Sequence, residues 1–143
     1  MQDLHYFPGH MKKTQRAIEE SIKKVDAVCE ILDARIPLAS RNPEIDTLTA
    51  GKPRLIVLNH VDQADSAKTK PWAAYFRSCG YAVMETAAKS GAGVKNFVPV
   101  VRALLAEKLQ RYAEKGQVGR TIRVMVVGIP NVGKSTFINR VAG

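Results

Sequence analysis

Two cysteines, one tryptophan and no apolar run long enough to span a membrane set the first limits on this 143-residue sequence. Cys29 and Cys79 form no metal-binding or redox spacing, so both are expected as packing residues in a reduced, intracellular protein. No stretch approaches the roughly 18 apolar residues that cross a bilayer. The start, MQDLHYFPGHMKK, lacks the apolar core of a secretory signal. Acidic residues are also scarce: 13 Asp and Glu stand against 22 Lys and Arg, a formal net charge of +9. That excess favours a polyanionic neighbour, nucleic acid or an anionic membrane, with simple solubility as the alternative. Aromatic residues make up 6% and hydrophobic residues 45%, an ordinary balance for one soluble domain with a modest core.

Helical and strand patterns alternate along the chain. Met11, Ile18, Ile22 and Val25 recur at helical spacing among Lys and Glu. Asp26 to Arg35 (DAVCEILDAR) and Pro53 to Asp62 (PRLIVLNHVD) are short apolar runs ending in polar residues, the form of buried strands. KTKPWAAYFRSCG predicts a short helix with Pro71 in its first turn and Gly80 at its end. YAVMETAAK predicts a third strand. Phe97, Val101, Leu104, Leu105 and Tyr112 mark one long helix stopping at Gly116. TIRVMVVG is a fourth strand running into a last helix. The alternation predicts an α/β fold with a mainly parallel sheet covered on both faces.

The strongest motif is GIPNVGKST, Gly128 to Thr136, which fits the phosphate-loop spacing G-x-x-x-x-G-K-[ST]. Its glycines let backbone N–H groups curl toward phosphate oxygens, and the helix that follows adds its positive end. The segment Asn131, Val132, Gly133, Lys134, Ser135 and Thr136 is expected to hold the phosphates. Lys134, expected to be exposed, reaches the outer ones, and Ser135 offers its hydroxyl to Mg²⁺.

NHVD (Asn59, His60, Val61, Asp62) follows the second strand directly, where ligands of open α/β sheets gather. A carboxylate at Asp62 can accept from the ring N–H and exocyclic amine of guanine, a donor pair that adenine lacks. Asn59 can brace the base edge and tie this loop to the phosphate loop. In TAAKSGAG, beyond the third strand, the Ala88 N–H can meet the guanine carbonyl and the Lys89 stem can lie beside the base. The alternative for NHVD is a strand-to-helix turn with Asp62 as a cap. Two such elements beside one phosphate loop favour guanine.

NHVD resembles the N-K-x-D motif of GTPases, and AAKSGAG, Ala87 to Gly93, resembles their S-A-K motif. The base motifs precede the phosphate loop, the order of circularly permuted GTPases. Within that group YFPGHM, DARIPLASRNP (Asp33 to Pro43) and GIPNVGKSTFINR are similar to the ribosome biogenesis GTPase A (YlqF) family, over essentially all of the chain. The resemblance implies a P-loop, Ras-like three-layer sandwich, circularly permuted. It implies GTP/GDP and Mg²⁺ as ligands, GTP hydrolysis, and a cytoplasmic role in assembly of the large ribosomal subunit, with rRNA and ribosomal proteins as partners. Family members continue into switch segments and a helical RNA-contacting domain, so residues 1–143 read as the first part of a GTPase domain, incomplete at its C-terminus. RVMVVG is then expected at the edge of a four-stranded sheet, with the chain either self-associating through that edge or loose from about Arg120 onward. The resemblance gives His10, in FPGHM, a role in positioning the attacking water; the alternative is a histidine ending a turn. His60 stands where the family has a base-stacking Lys, and Ala87 where it has Ser.

Two stretches keep two readings. Asp33 and Arg35 belong either to the nucleotide edge or, as favoured, to a structural pair pinning the RNP loop. Lys12, Lys13, Arg16, Lys23 and Lys24 either contact RNA phosphates or form a solvated helix face. Beside the favoured GTP-binding assembly protein stand an adenine-nucleotide P-loop protein and a non-catalytic RNA-binding remnant.

Overall fold

The computed structural model describes residues 4–9, 15–41, 43–117, 121–128 and 132–142, and for 4–9 and 15–17 the backbone alone. Met11 to Thr14 of the first expected helix lie outside the described residues. The elements run β1 (Leu4–Gly9), α1 (Gln15–Ile22), β2 (Ala27–Asp33), α2 (Glu44–Leu48), β3 (Arg54–Asn59), α3 (Ser66–Ser78), β4 (Ala82–Glu85), α4 (Phe97–Leu104), α5 (Ala106–Glu114), β5 (Ile122–Val127) and α6 (Lys134–Ala142). The described strands form one sheet in the order β1-β5-β2-β3-β4. Every pairing in it is parallel.

Side-chain alternation sorts the core onto two faces. Ala27, Cys29 and Ile31 of β2, with Leu55, Val57, Ile122, Val124 and Val126, pack against Phe97 and Val101 of α4 and Phe137 and Val141 of α6. Phe97 and Phe137 meet edge to face, with centroids 5.3 Å apart. On the opposite face Leu32, Ile56 and Leu58 pack on Ala73 and Phe76 of α3. Val28, Met125 and Val127 pack on Ile18 of α1 and Ile45 of α2. Helices on both faces of a parallel sheet are the α/β layers the alternation predicted.

Between those last two clusters lies a charged network. Glu30, 2% exposed on the central strand β2, accepts from Arg41 Nη2 at 3.2 Å and Arg54 Nη1 at 3.3 Å. Both arginines also bind Asp46 of α2, and Arg54 Nη2 donates to Thr49 Oγ1 at 2.5 Å. Arg54 sits over the Tyr81 ring at 4.8 Å. Burial pushes the Glu30 carboxyl up against the pull of its two arginines. Burial acts the same way on Asp46, but there the arginine hydrogen bonds prevail and hold the carboxyl below the usual range.

Several expectations are corrected. RVMVVG is not an edge: β5 has β1 on one side and β2 on the other, so the edges are β1 and β4. The chain's own segment LHYFPG fills the place beside the phosphate-loop strand, which removes β5 as the surface for self-association. The long helix from Phe97 divides at Leu105, whose backbone (φ −103, ψ 15) leaves helical geometry. Helix α3 starts at Ser66 because Asp65 caps it, accepting from the Ala67 N–H at 3.0 Å, so Pro71 lies inside the helix rather than in its first turn. Cys29 is a packing residue, its thiol pushed up by burial, whereas Cys79 is exposed.

Candidate functional site

The carboxyl ends of β3 and β4 and the segment after β5 converge on Asn59, the last residue of β3. Its side chain is 1% exposed and holds three elements together. Nδ2 donates to the Val132 carbonyl at 2.9 Å. Oδ1 accepts from Thr86 Oγ1 and from the Ala88 N–H, each at 2.9 Å. The expected tie between NHVD and the phosphate loop is therefore present, and Asn59 works by positioning both loops. The Ala88 N–H, assigned from sequence to the guanine carbonyl, donates to Asn59 instead. Thr86, fully buried, is the residue sequence reasoning overlooked; its hydroxyl sits in TAAKSGAG without any motif to mark it.

Two glycines show how closely these loops approach. Gly133 has φ +87, and a Cβ there would run into Asn59 Nδ2. Gly93 has φ +78, and a Cβ there would run into the Glu85 carbonyl. Neither position has room for a side chain, quite apart from the backbone angle. The loop leading into Gly93 is a tight reversal: Ala87 and Ala92 bridge, and the Gly91 N–H reaches back to the Ala87 and Ala88 carbonyls at 3.0 and 3.1 Å.

His60 takes a left-handed backbone, φ 65 and ψ 31, unusual for a residue with a side chain. It is half-buried, and its Cε1 lies beside Gly133, 3.6 Å from where a Cβ would stand. The ring thus flanks the phosphate loop from the base-loop side. The Val61 N–H donates to the Thr86 carbonyl at 3.1 Å. Asp62 follows in a 3-10 turn, Val61–Gln63, with its side chain exposed. It does not cap the following helix; Asp65 does. The turn reading of NHVD thus loses its cap, while the exposed carboxylate at the strand end remains.

On the phosphate side, Val132 is buried, Ser135 and Thr136 are exposed in the first turn of α6, and Phe137 N–H closes that turn on the Gly133 carbonyl at 2.9 Å. Lys134 is half-buried rather than exposed as expected, and desolvation lowers its pKa. An anion beside it would favour its charged form. Among the described residues no cluster of His, Cys, Asp or Glu could hold a metal. A Mg²⁺ here would rest on the exposed Ser135 hydroxyl and on ligand oxygens, an arrangement that suits its preference for few protein ligands. Lys89 is exposed, and Ala87 and Ala88 are buried. His10 and Asn131 lie outside the described residues.

Asp33 and Arg35 pair with each other: Nε and Nη2 of Arg35 reach the carboxylate at 2.9 and 2.6 Å. Burial would raise the Asp33 carboxyl, yet the Arg35 bonds and nearby His60 keep it low. The RNP loop is pinned by a different residue, Arg41, through Glu30 and Asp46. Asp33 touches this stretch through its backbone: its N–H donates to Ser40 Oγ at 3.0 Å and its carbonyl accepts from the Ile36 N–H at 3.0 Å.

Comparison with known proteins bears on the whole arrangement. Residues 123–143 match a family model described as 50S ribosome-binding GTPase. A Bacillus cereus protein named ribosome biogenesis GTPase A is 47% identical over 139 residues, covering 97% of this chain and 47% of that protein. The structure is similar to GNP-bound YlqF from T. maritima, with TM-score 0.67 and 34% identity over 92% of this chain and 48% of that one. A GDP-bound YlqF structure matches with TM-score 0.63 and 34% identity, over 87% of this chain and 47% of that one. The chain spans about half the length of the relatives it matches, as the 47% and 48% coverages show.

Proposed function

We propose that this chain, a homologue of the ribosome biogenesis GTPase A (YlqF) family along nearly its whole length, is the guanine-nucleotide-binding portion of a ribosome-assembly GTPase. In this reading Asp62 accepts the two guanine donors. His60 and the Lys89 stem flank the base, and Val61, Ala87 and Ala88 shape its pocket. The backbone from Asn131 to Thr136 cradles the phosphates, and Lys134 supplies their charge. The Ser135 hydroxyl would hold Mg²⁺, which would supply positive charge to the phosphate oxygens. His10 orients the attacking water. Residues 1–143 then form the base-and-phosphate half of a GTPase domain that acts in the cytoplasm on the large ribosomal subunit, through rRNA and ribosomal proteins.

The observation that carries this reading is Asn59, whose one side chain joins the base-motif loops to the phosphate-loop backbone. A phosphate loop alone fits any nucleotide; its coupling to an exposed Asp62 favours guanine. Calorimetric titration with GDP and ADP tests it. GDP is expected to bind at least about tenfold tighter than ADP, and Asp62→Asn to lose that margin while gaining affinity for xanthosine diphosphate. Equal affinity for GDP and ADP in the unaltered chain would sink the guanine assignment.

A further inference from the structure

We propose that Arg140 is a positioning residue that fastens the base-recognition loop to the phosphate-loop helix. The proposal rests on the guanine-nucleotide reading above and gives a role to the last residue of GIPNVGKSTFINR, for which the motif itself supplies none. Helix α6 carries Lys134 at its first position and Arg140 in its last turn. From there Nη2 of Arg140 donates to the Lys89 carbonyl at 2.6 Å, across 51 residues of chain. Bonds from a guanidinium to a carbonyl are charge-assisted and stronger than neutral ones. The rest of the guanidinium lies against Gly91. A Cβ at Gly91 would stand 3.5 Å from Nη1, 3.7 Å from Cζ and 3.9 Å from Nε, so the group covers a bare Cα.

The placement explains what the contact does. The loop from Thr86 to Gly93 is held at its inner end by Asn59, through Thr86 and Ala88. The loop's own backbone bonds keep Lys89 to Gly91 in a tight reversal, but none of them ties the far side of that reversal to the phosphate-loop helix. Arg140 supplies a second anchorage on the far side, at Lys89 and Gly91. Both anchorages reach the same partner: Asn59 bonds Val132 just before α6, and Arg140 belongs to α6 itself. The loop facing the base and the helix facing the phosphates are thereby one body, and an ordered loop costs less entropy when the nucleotide arrives.

The test uses Arg140→Gln and Arg140→Lys in the full chain, with GDP, inosine diphosphate and inorganic pyrophosphate as probes, and thermal melting of each variant. Inosine keeps the carbonyl but lacks the amine that Asp62 would read. Arg140→Gln is expected to weaken GDP and inosine diphosphate together, by about five- to tenfold, with pyrophosphate changed less than about twofold. Arg140→Lys, which retains a charged donor, is expected to recover most of the loss. Unchanged GDP affinity in Arg140→Gln would overturn the proposal. So would a parallel loss of pyrophosphate affinity, or a fall in melting temperature that accounts for the loss, since either would assign Arg140 to the helix or the fold. An unaltered chain that binds pyrophosphate but does not prefer GDP to ADP would remove the guanine reading itself.

Discussion

Replacing Asn59 with alanine separates residues that build the site from residues that read the ligand. Asn59 makes three hydrogen bonds, at 2.9 Å each, to the Val132 carbonyl, the Thr86 hydroxyl and the Ala88 N–H. All three partners are buried, at 2%, 0% and 1% exposure. Alanine leaves each without its partner, and a buried unpaired polar group costs about 1–3 kcal/mol. The Thr86 hydroxyl can rotate and water can enter beside Val132, so the losses do not simply add. A total of about 3–5 kcal/mol follows, a large share of the roughly 5–15 kcal/mol that holds a domain folded. The melting temperature is expected to fall by about 10 °C or more. Urea unfolding followed by circular dichroism measures the change directly. Asp62→Ala, only three positions along but exposed, is expected to shift stability by no more than about 0.5 kcal/mol. If Asn59→Ala unfolds within about 0.5 kcal/mol of the unaltered protein, the three bonds do not support the fold and the reasoning fails.

Other expectations follow from the same geometry. Lys134→Ala should abolish GDP binding in calorimetry; retained affinity would remove the phosphate-loop assignment. Gly133→Ala places a methyl against Asn59 Nδ2 at a left-handed backbone, and should lower stability by about 2 kcal/mol or more in urea unfolding. A variant as stable as the parent would show that the two loops separate easily. Asp46 is held low in the folded chain, so it contributes stability that is complete above its unfolded value of about 3.9 and is lost as pH falls through the lowered folded value. Asp46→Asn should therefore be less stable at pH 7 and less sensitive to acid below about pH 4; parallel pH–stability curves for the two proteins would count against this.

The sequence carried the strands β2 to β5, the helices after β3, β4 and β5 and the phosphate loop, because each has a local signature: an apolar run, a helical spacing, a glycine; it did not carry the short α2. Nor did it carry β1. LHYFPG contains Pro8, which argues against a strand, and the position at the sheet edge is what makes a proline tolerable there. Glu30 was hidden inside an apolar run, since its partners Arg41 and Arg54, and the Asp46 that shares them, come from elsewhere in the chain. The site divides the same way. Asn59, Asp62 and Lys134 have roles that their motifs imply, whereas the bonds of Thr86 to Asn59 and of Arg140 to the Lys89 carbonyl follow from no motif spacing.

The position of β5 has a consequence for how the chain folds. β5 lies between β1 and β2, with Leu4 facing Ile122 and Ala27 facing Val124. A nascent chain leaving the ribosome N-terminus first exposes β1 and β2 long before β5 exists. Their facing edges must wait, with hydrogen-bonding groups unmet, until the strand that belongs between them is made. Closure then requires inserting a late strand into a prepared slot, at large sequence separation and with a correspondingly large loop entropy to overcome. Folding is set to be slow and nearly all-or-none at that step, and the interval before it is when the open slot is most exposed to pairing with another chain.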